Sequence, residues 1–146
     1  WTHDSAIVAS DIAAGDNFGC AVSIDSVPSV YTPRLIVGSK NNDSGASGSG
    51  AAYIFENKDS SWQQLNKLTS STPAEYDYFG TSVSISGNLA IAGIPNYDDP
   101  QTDSGAACIF ERIYECPTAD LSGDCFVDLA DFAIVASQWL TGEKIN

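Results

Sequence analysis

Short segments of alternating hydrophobic and polar residues, separated by Gly, Pro, Asn and Asp, make up roughly the first three-quarters of the chain. Residues 79–85 alternate most cleanly, with Val83 and Ile85 on one side and Ser82 and Ser84 on the other. A period of two is typical of a β-strand with one buried face. Because turn residues recur at roughly ten-residue spacing, the pattern predicts short antiparallel strands joined by tight connections.

This pattern occurs twice, because the chain aligns with itself at two offsets. At an offset of 61 the matched pairs include Trp1 and Trp62, Asp16 and Asp77, Phe18 and Phe79, Gly19 and Gly80. At an offset of 55 they include Gly38 and Gly93, Asn41 and Asn96, and the runs 50–56 and 105–111. Each unit is predicted to contain four strands, in the second unit near 62–68, 79–85, 89–92 and 106–110. Four antiparallel strands per unit fit a β-propeller blade, and a β-sandwich is the alternative.

Two sequence motifs carry a family resemblance. FGTSVSISGNLAIAGIPNYDD followed by SGAACIFE, and its partner FGCAVSI followed by LIVGSKNND and SGAAYIFE, resemble FG-GAP repeats. The resemblance covers residues 1–115, as repeats 1–61 and 62–115, and implies two four-stranded antiparallel blades of a secreted or cell-surface protein. Integrin-type repeats carry an Asp-rich calcium loop before the G-A-P strand. Here that stretch is the short turn 86–88, so the resemblance does not extend to that calcium site.

Acidic and amide side chains instead follow the G-A-P strand of each unit. The candidate oxygen ligands are Asn41, Asp43, Asn96, Asp98, Asp99 and Asp103. Calcium accepts six to eight oxygen ligands, so these loops are candidate second metal sites. Alternatively, these residues hydrogen-bond their own backbone, as Asn and Asp commonly do in loops. Asn42 also begins an Asn-Asp-Ser glycosylation pattern, which predicts an accessible surface loop.

A different composition begins at Cys116 and predicts a small calcium-binding module over residues 116–146. Its candidate ligands are the side chains of Asp120, Ser122, Asp124, Asp128 and Asp131, with the backbone carbonyl of Phe126. Alternate spacing lets these oxygens converge on one ion while the chain wraps around it. The following residues 129–140 place their apolar side chains at helical spacing, which predicts a helix. A solvated acidic loop is the alternative.

The module is similar to a dockerin-type calcium repeat, which implies a bound Ca²⁺ and a cohesin-like partner. Dockerins normally carry two such repeats, whereas one is present here, and Cys125 replaces the usual Gly of the loop. A bond from Cys125 to Cys116 would close the loop covalently and account for this replacement. By elimination, Cys20 would then pair with Cys108.

Composition narrows the functional classes. Nineteen acidic against six basic residues give a net charge of −13, which disfavours nucleic-acid binding because phosphates are repelled. No apolar run approaches the length of a membrane span, so no membrane insertion is expected. Four cysteines favour disulfides and an oxidising compartment, with free thiols of a cytosolic protein as the alternative. One histidine and no recognisable catalytic constellation predict that the protein is not an enzyme.

Together these features predict a non-enzymatic, extracellular, calcium-binding surface or matrix protein that acts through protein–protein association, as a subunit of an extracellular assembly or filament. The alternative is a dockerin-type appendage that docks a larger secreted enzyme or adhesin to a cohesin-like domain. Two blades alone would leave apolar faces and strand edges uncovered. Three arrangements would cover them: further repeats in a longer chain, packing of the two units face to face, or burial against neighbouring subunits. We favour the last, which predicts association with copies of the same chain rather than an isolated monomer.

Overall fold

The computed structural model describes residues 1–2, 5–26, 32–113 and 129–141. The chain divides into two compact units, Trp1–Glu111 and Arg112–Asn146. All described strands belong to the first unit, and the second contains helix α1, Leu129–Thr141. The mainly β class and the helix predicted over 129–140 are confirmed. In the described part of the chain, no helix is long and apolar enough to cross a membrane.

The first sheet has four antiparallel strands in the order β1-β2-β3-β4. Their bounds are Phe18–Asp25, Arg34–Ser39, Ala51–Lys58 and Ser61–Leu68. Strands β3 and β4 form a hairpin around Asp59 and Ser60, both of which have positive φ. Two-residue hairpin turns with this backbone match the right-handed twist of the flanking strands. The first sheet is therefore built from one continuous meander.

The second sheet, as far as the structure describes the chain, has three antiparallel strands rather than the predicted four. They are β5 (Val83–Ser86), β6 (Leu89–Ile94) and β7 (Ala106–Glu111). The fourth strand predicted for the second unit, near residues 62–68, is β4. It pairs with β3 of the first sheet, for example at Ala52 and Leu68, because the two-residue hairpin folds it directly back alongside β3. The prediction of two four-stranded blades is wrong for the second.

The two sheets pack face to face around one apolar cluster. Its buried members are Ile36, Ala52, Phe79, Ile85, Ala90, Ala92 and Ile94. Ile85 faces this cluster while Ser84 is exposed, which confirms the alternation predicted for this segment. Hydrogen bonds at Gly87 also join the two sheets. The Gly87 amide donates to Asp25 Oδ2 at 2.7 Å, and Arg34 donates to the Gly87 carbonyl.

A glycine contact joins the Phe-Gly turn of the second repeat to the first sheet. The turn carries Phe79, which is completely buried, and its amide donates to the Ser49 carbonyl at 2.9 Å. The Gly80 amide donates to Gly93 in the second sheet at 3.0 Å. A Cβ atom at Gly38 would lie 1.9 Å from the Gly80 carbonyl oxygen, so only glycine permits this approach.

The outer face of the first sheet is partly covered by residues 5–13. Ile7, Ala9 and Ile12 belong to a second apolar cluster that includes Tyr53 and Phe55. Polar contacts fasten the segment: the Ser10 amide donates to Gln64 at 2.8 Å, and Asp11 pairs with Lys67 at 2.6 Å. The Lys67 ammonium also lies 5.3 Å from the centre of the Tyr53 ring. The first sheet thus has the second sheet on one face and this segment on part of the other.

Two pKa shifts follow from these contacts. The hydrogen bond from Lys67 lowers the pKa of Asp11 below its usual 3.8, because it stabilises the carboxylate. Burial raises the pKa of Tyr53, and the nearby Asp11 carboxylate adds to the effect. Both residues therefore remain in their usual ionisation states at neutral pH.

We expect Gly38→Ala to lower the free energy of unfolding by about 2 kcal/mol or more, because the new methyl group must displace the backbone at Gly80. Ser84→Ala is the control, since it adds no atom and lies at an exposed position of β5, where surface substitutions change stability little. Chemical denaturation monitored by circular dichroism measures both. Equal losses in the two variants would contradict the close approach.

The Asp11–Lys67 pair should make a small, pH-dependent contribution to stability. Because the pKa of Asp11 is lowered in the folded state, the contribution is present above 3.8 and disappears as the pH falls through the lowered value. At neutral pH, Asp11→Asn should cost about 0.2–1 kcal/mol, as for other partly exposed pairs. A double-mutant cycle with Lys67→Gln, measured at neutral pH and well below pH 3.8, tests this expectation. A coupling energy that persists in acid would contradict it.

Candidate functional site

The predicted calcium loop lies almost entirely outside the described residues. This holds for Asp120, Ser122, Asp124, Phe126 and Asp128, and for the predicted pair Cys116 and Cys125. Asp131 is the exception: it lies in the first turn of α1 and is 3% exposed. A carboxylate at this position interacts favourably with the positive end of the helix dipole. The calcium loop therefore stays a prediction.

The acidic loops that follow β2 and β6 have the same internal hydrogen bonds. The Gly48 amide donates to Asp43 at 2.8 Å, and the Asp103 amide donates to Asp98 at 2.6 Å. The equivalent serine hydroxyls also donate to carbonyl oxygens five residues earlier. These are Ser49 to Ser44 at 2.8 Å, and Ser104 to Asp99 at 3.0 Å. One carboxylate oxygen in each loop is therefore used to fold the loop itself.

Asp16 and Asp77 are the buried carboxylates beneath these loops, and sequence reasoning used them only as repeat markers. Asp16 accepts the Ala13 amide at 3.0 Å, and Asp77 accepts the equivalent Ala74 amide at 2.8 Å. They are 6% and 2% exposed. Their conservation of position in both repeats was the available signal. Each carboxylate holds in place the connection that comes just before the Phe-Gly pair of its repeat.

The asparagines Asn41 and Asn96 of the post-strand loops are hydrogen-bonded to backbone. Among the described residues, no group of three or more His, Cys, Asp or Glu side chains is placed to hold a metal ion. Asn41 instead donates from its side chain to the Gly15 carbonyl at 3.3 Å, and Asn96 to the Tyr76 carbonyl at 3.0 Å. These contacts support the alternative in which the loop residues bond to nearby backbone.

Asn42 is not on an accessible surface, contrary to the sequence-based expectation. It is 5% exposed, and its side-chain nitrogen donates to Asp16 Oδ2 at 2.6 Å. Its side-chain oxygen accepts the Ser44 hydroxyl. A glycan on this nitrogen would have to break the bond to a buried carboxylate, so the folded loop does not offer Asn42 for modification.

The predicted disulfide between Cys20 and Cys108 is not formed, and both residues are free thiols. Cys20 lies in β1 with its sulfur 3.5 Å from the Gly80 carbonyl oxygen. Cys108 lies in β7 and packs against the cluster between the sheets, where burial raises the pKa of its thiol. The pairing inferred by elimination is therefore wrong: Cys20 and Cys108 lie in strands of different sheets, each with its own contacts.

Exposed apolar surface lies on the two sides of the sheet pair. On the first sheet an open groove of about 520 Å³, here called the outer groove, has six main apolar lining residues: Ile7, Phe18, Val22, Ile24, Leu35 and Val37. On the second sheet the exposed face consists of Leu89, Ile91, Ala107 and Ile109. Val22 and Ile109 are 69% and 70% exposed. Contiguous apolar surface of this kind marks interaction sites.

Asp77→Ala should lower the free energy of unfolding by about 1–3 kcal/mol, because the bond from the Ala74 amide to this buried carboxylate is lost. Asp98→Ala is the matched control, since it removes a similar bond in an exposed loop and should cost less. Thermal and chemical denaturation measure both variants. If Asp98→Ala were the more damaging substitution, the buried carboxylate would not be the main anchor.

The comparisons with known proteins agree with the repeat arrangement. The family profile described as FG-GAP repeat matches residues 1–55 and 62–110. A search of curated proteins finds no match to the chain. Repeats of this family occur in extracellular and cell-surface proteins, generally mediate protein–protein interactions and are typically not catalytic. Because the two matches cover more than half of its residues, this chain belongs to the FG-GAP repeat family.

Proposed function

We propose that this chain is a non-enzymatic, calcium-binding module of an extracellular or cell-surface protein, and that it works by associating with other protein surfaces. The observation that carries this proposal is the apolar surface on both sides of the sheet pair. The outer groove and the exposed face flank a core that is itself formed by sheet stacking. Further stacking partners are therefore the expected ligands.

In the described part of the chain, the three side chains with clearly shifted pKa values lie in structural contacts. Asp11 and Tyr53 owe their pKa shifts chiefly to Lys67 and to burial, respectively. Burial alone raises the pKa of Cys108. Catalytic groups converge on a cleft with shifted pKa values that suit proton transfer. Here the shifts come from packing and from a surface ion pair, which supports a binding role.

Calcium enters the proposal through the loop that precedes α1. The helix begins at Leu129, so the last predicted ligand, Asp131, lies in its first turn. Calcium loops of this class also end on an acidic ligand at the start of the following helix. Four carboxylates within residues 120–131 would repel one another until a divalent cation neutralises them.

A second candidate function is that of a dockerin-type appendage that binds a cohesin-like domain. The apolar side chains of Leu129 and Phe132 favour it, because they are 83% and 68% exposed on α1. An exposed apolar helix surface is a common docking element for a partner groove. This candidate places the contact on the helix rather than on the sheets.

Calorimetric titration with CaCl₂ should show one site per chain, and Asp120→Ala should abolish it because a loop ligand is lost. Asp98→Ala should retain the site, because that carboxylate already holds the Asp103 amide. Circular dichroism should show a gain of helix when calcium is added to the wild type. Absence of binding at millimolar calcium would contradict the calcium part of the proposal.

The two candidate functions differ in the effect of substitutions on partner binding. A cohesin-like domain titrated against the full chain should bind and lose affinity with Phe132→Ser if the appendage function is correct. Ile109→Ser would then have no effect on that binding. The opposite pattern, with association sensitive to Ile109 and insensitive to Phe132, supports the sheet surfaces.

A further inference from the structure

Two tyrosines in the connection before β5 have a left-handed backbone. The φ angles of Tyr76 and Tyr78 are 64° and 57°. Bulky side chains rarely occur in this region because the Cβ atom crowds a neighbouring carbonyl oxygen. Hydrogen bonds hold the backbone in place: the Tyr76 amide donates to the Ser47 carbonyl at 2.9 Å, and the Tyr78 amide donates to the Gly48 carbonyl at 3.2 Å. The fold therefore keeps both tyrosines in a strained conformation.

The first repeat has small residues at the same two positions. At the offset of 61, Tyr76 and Tyr78 correspond to Gly15 and Asn17. These two residues also have positive φ, 95° and 54°. Gly and Asn tolerate this region far better than an aromatic residue does. Backbone conformation therefore does not account for the aromatic rings of the second repeat, and strained residues of this kind cluster at functional sites.

The two tyrosine rings line an open cavity of about 200 Å³, here called the tyrosine cavity. The ring centroids lie 6.2 Å apart, and the ring planes are inclined by 51° to each other. Tyr76 is 54% exposed, so solvent reaches this side of the cavity. The rest of the lining comes from the loop after β2, namely Asn41, Asp43, Ser47 and Gly48. The cavity thus combines aromatic surface with polar side chains.

Gly48 makes room for both rings. A Cβ atom at this position would lie 3.1 Å from Cδ1 of Tyr76 and 3.5 Å from Cε1 of Tyr78. At the offset of 55 the equivalent of Gly48 is Asp103, which also has positive φ but carries a side chain. Three positions at which the two repeats differ therefore lie together at the tyrosine cavity.

Two other cavities beside the same loops belong to the repeated framework instead. Their volumes are about 230 Å³ and about 250 Å³. Asp16 and Asp43 line the first cavity, and their equivalents Asp77 and Asp98 line the second. A cavity that occurs in both repeats is a consequence of the shared fold. The tyrosine cavity depends on side chains that only one repeat has.

The polar side of the tyrosine cavity is suited to hydroxyl groups. Asp43 is exposed, and its Oδ1 accepts the Gly48 amide at 2.8 Å. This bond holds the carboxylate in position and does not use Oδ2. The side-chain nitrogen of Asn41 donates to the Gly15 carbonyl at 3.3 Å, which holds that amide group beside the cavity. Carboxylates accept hydrogen bonds from hydroxyl groups, and amides can both donate and accept them.

A pyranose ring has surfaces that match both sides of this cavity. Its C–H groups are weakly positive and pack against the negative face of an aromatic ring, while its neighbouring hydroxyl groups bond to carboxylates and amides. A volume of about 200 Å³ lies below the range of about 300–1,000 Å³ that drug-sized ligands need, so it suits a single ring. The Asp43 carboxylate repels an acidic sugar and thereby selects a neutral one.

We propose that the tyrosine cavity binds one neutral pyranose residue of a glycan. Tyr76 and Tyr78 supply the apolar contact, and Asp43 and Asn41 fix the orientation of the sugar hydroxyl groups. Backbone hydrogen bonds position both tyrosines before the ligand arrives, which lowers the entropic cost of binding. The inference goes beyond the proposed function, because it depends neither on the calcium loop nor on the apolar surfaces of the sheets.

An ammonium group is the other ligand that aromatic rings and a carboxylate attract. Two features favour the sugar. Both rings come from one short segment and form an open corner, whereas an aromatic cage surrounds its cation. The lining also includes the amide of Asn41 and the hydroxyl of Ser47, which a sugar can use and an ammonium group does not need.

NMR titration of the ¹⁵N-labelled full-length chain tests the site directly. The neutral probes are hexasaccharides of glucose, mannose, galactose and N-acetylglucosamine, together with a biantennary N-glycan. At millimolar concentration, a neutral probe should shift the Gly48 amide signal saturably, because this amide donates to Asp43. Hexagalacturonate and choline chloride are the acidic and cationic controls, and neither should shift it. Binding of a hexasaccharide or of the N-glycan distinguishes a polysaccharide source from a glycoprotein source.

The double variant Tyr76→Gly with Tyr78→Asn separates binding from folding. It should remain folded, because Gly15 and Asn17 have the same left-handed backbone in the first repeat. Its affinity for the neutral probe should fall at least about tenfold, since both aromatic contacts are lost. Tyr97→Asn is the matched control, because Tyr97 corresponds to Asn42 at the offset of 55 and lies outside the tyrosine cavity. This control should bind like the wild type.

A second pair of variants tests the carboxylate. Asp43→Asn keeps an oxygen for the Gly48 amide but should weaken sugar binding about fivefold, because a charged acceptor bonds more strongly than a neutral one. Asp98→Asn makes the same change at the equivalent position of the second repeat and should leave the affinity unchanged.

The proposal is supported when a neutral probe binds and both the tyrosine variant and Asp43→Asn weaken that binding. It is overturned when no neutral probe shifts the Gly48 amide, when the folded tyrosine variant binds as tightly as the wild type, or when hexagalacturonate or choline chloride binds as well as the neutral probes. Calcium titration and protein association do not enter any of these readouts, so a failure here leaves the proposed function in place.

Discussion

The close backbone approach of Gly38 and Gly80 is the constraint on which the arrangement of the two sheets depends. It lets the Phe-Gly turn of the second repeat lie directly against the first sheet, so that Phe79 is buried completely between the sheets. The same turn is hydrogen-bonded to Ser49 on one side and Gly93 on the other. A single short segment thus sets both the separation and the relative position of the two sheets, because backbone contacts leave less freedom than side-chain packing.

The buried carboxylates and the acidic loops act together around this turn. Asp16 and Asp77 hold the connections that enter the two Phe-Gly turns, and the loops after β2 and β6 close above them. Buried carboxylates are stable in such places because backbone amides and side-chain amides solvate them. The acidic character of the first unit is therefore partly a folding requirement. In the predicted calcium loop, by contrast, the acidic residues have the spacing of ligands.

The phase difference between the repeat and the sheets explains why the apolar surface is where it is. A repeat that begins with the last strand of one sheet and continues into the next sheet links neighbouring sheets covalently, as β4 does here. Stacking then requires every sheet to bury both faces. Burial of a large aliphatic side chain contributes about 1.5–3 kcal/mol, so Ile91, Ile109, Val22 and Ile24 give association a substantial driving force. The proposed association would bury at these surfaces the same kind of side chain that the contact between the two sheets buries.

The sequence by itself determined the local and repetitive features of this protein. Alternating segments and short apolar runs between turn residues indicated the strands, and the two offsets identified equivalent residues. Apolar spacing predicted a helix over residues 129–140, which the structure has as Leu129–Thr141. These features depend on near neighbours along the chain, so they can be predicted from the sequence alone. The tertiary structure decided which strand joins which sheet, because the tight turn at Asp59 and Ser60 directs β4 back to β3. It also decided that Asn42 is buried against Asp16 and that Cys20 and Cys108 are not bonded to each other. Those outcomes depend on contacts between residues that are distant in sequence, and neither composition nor spacing specifies such contacts.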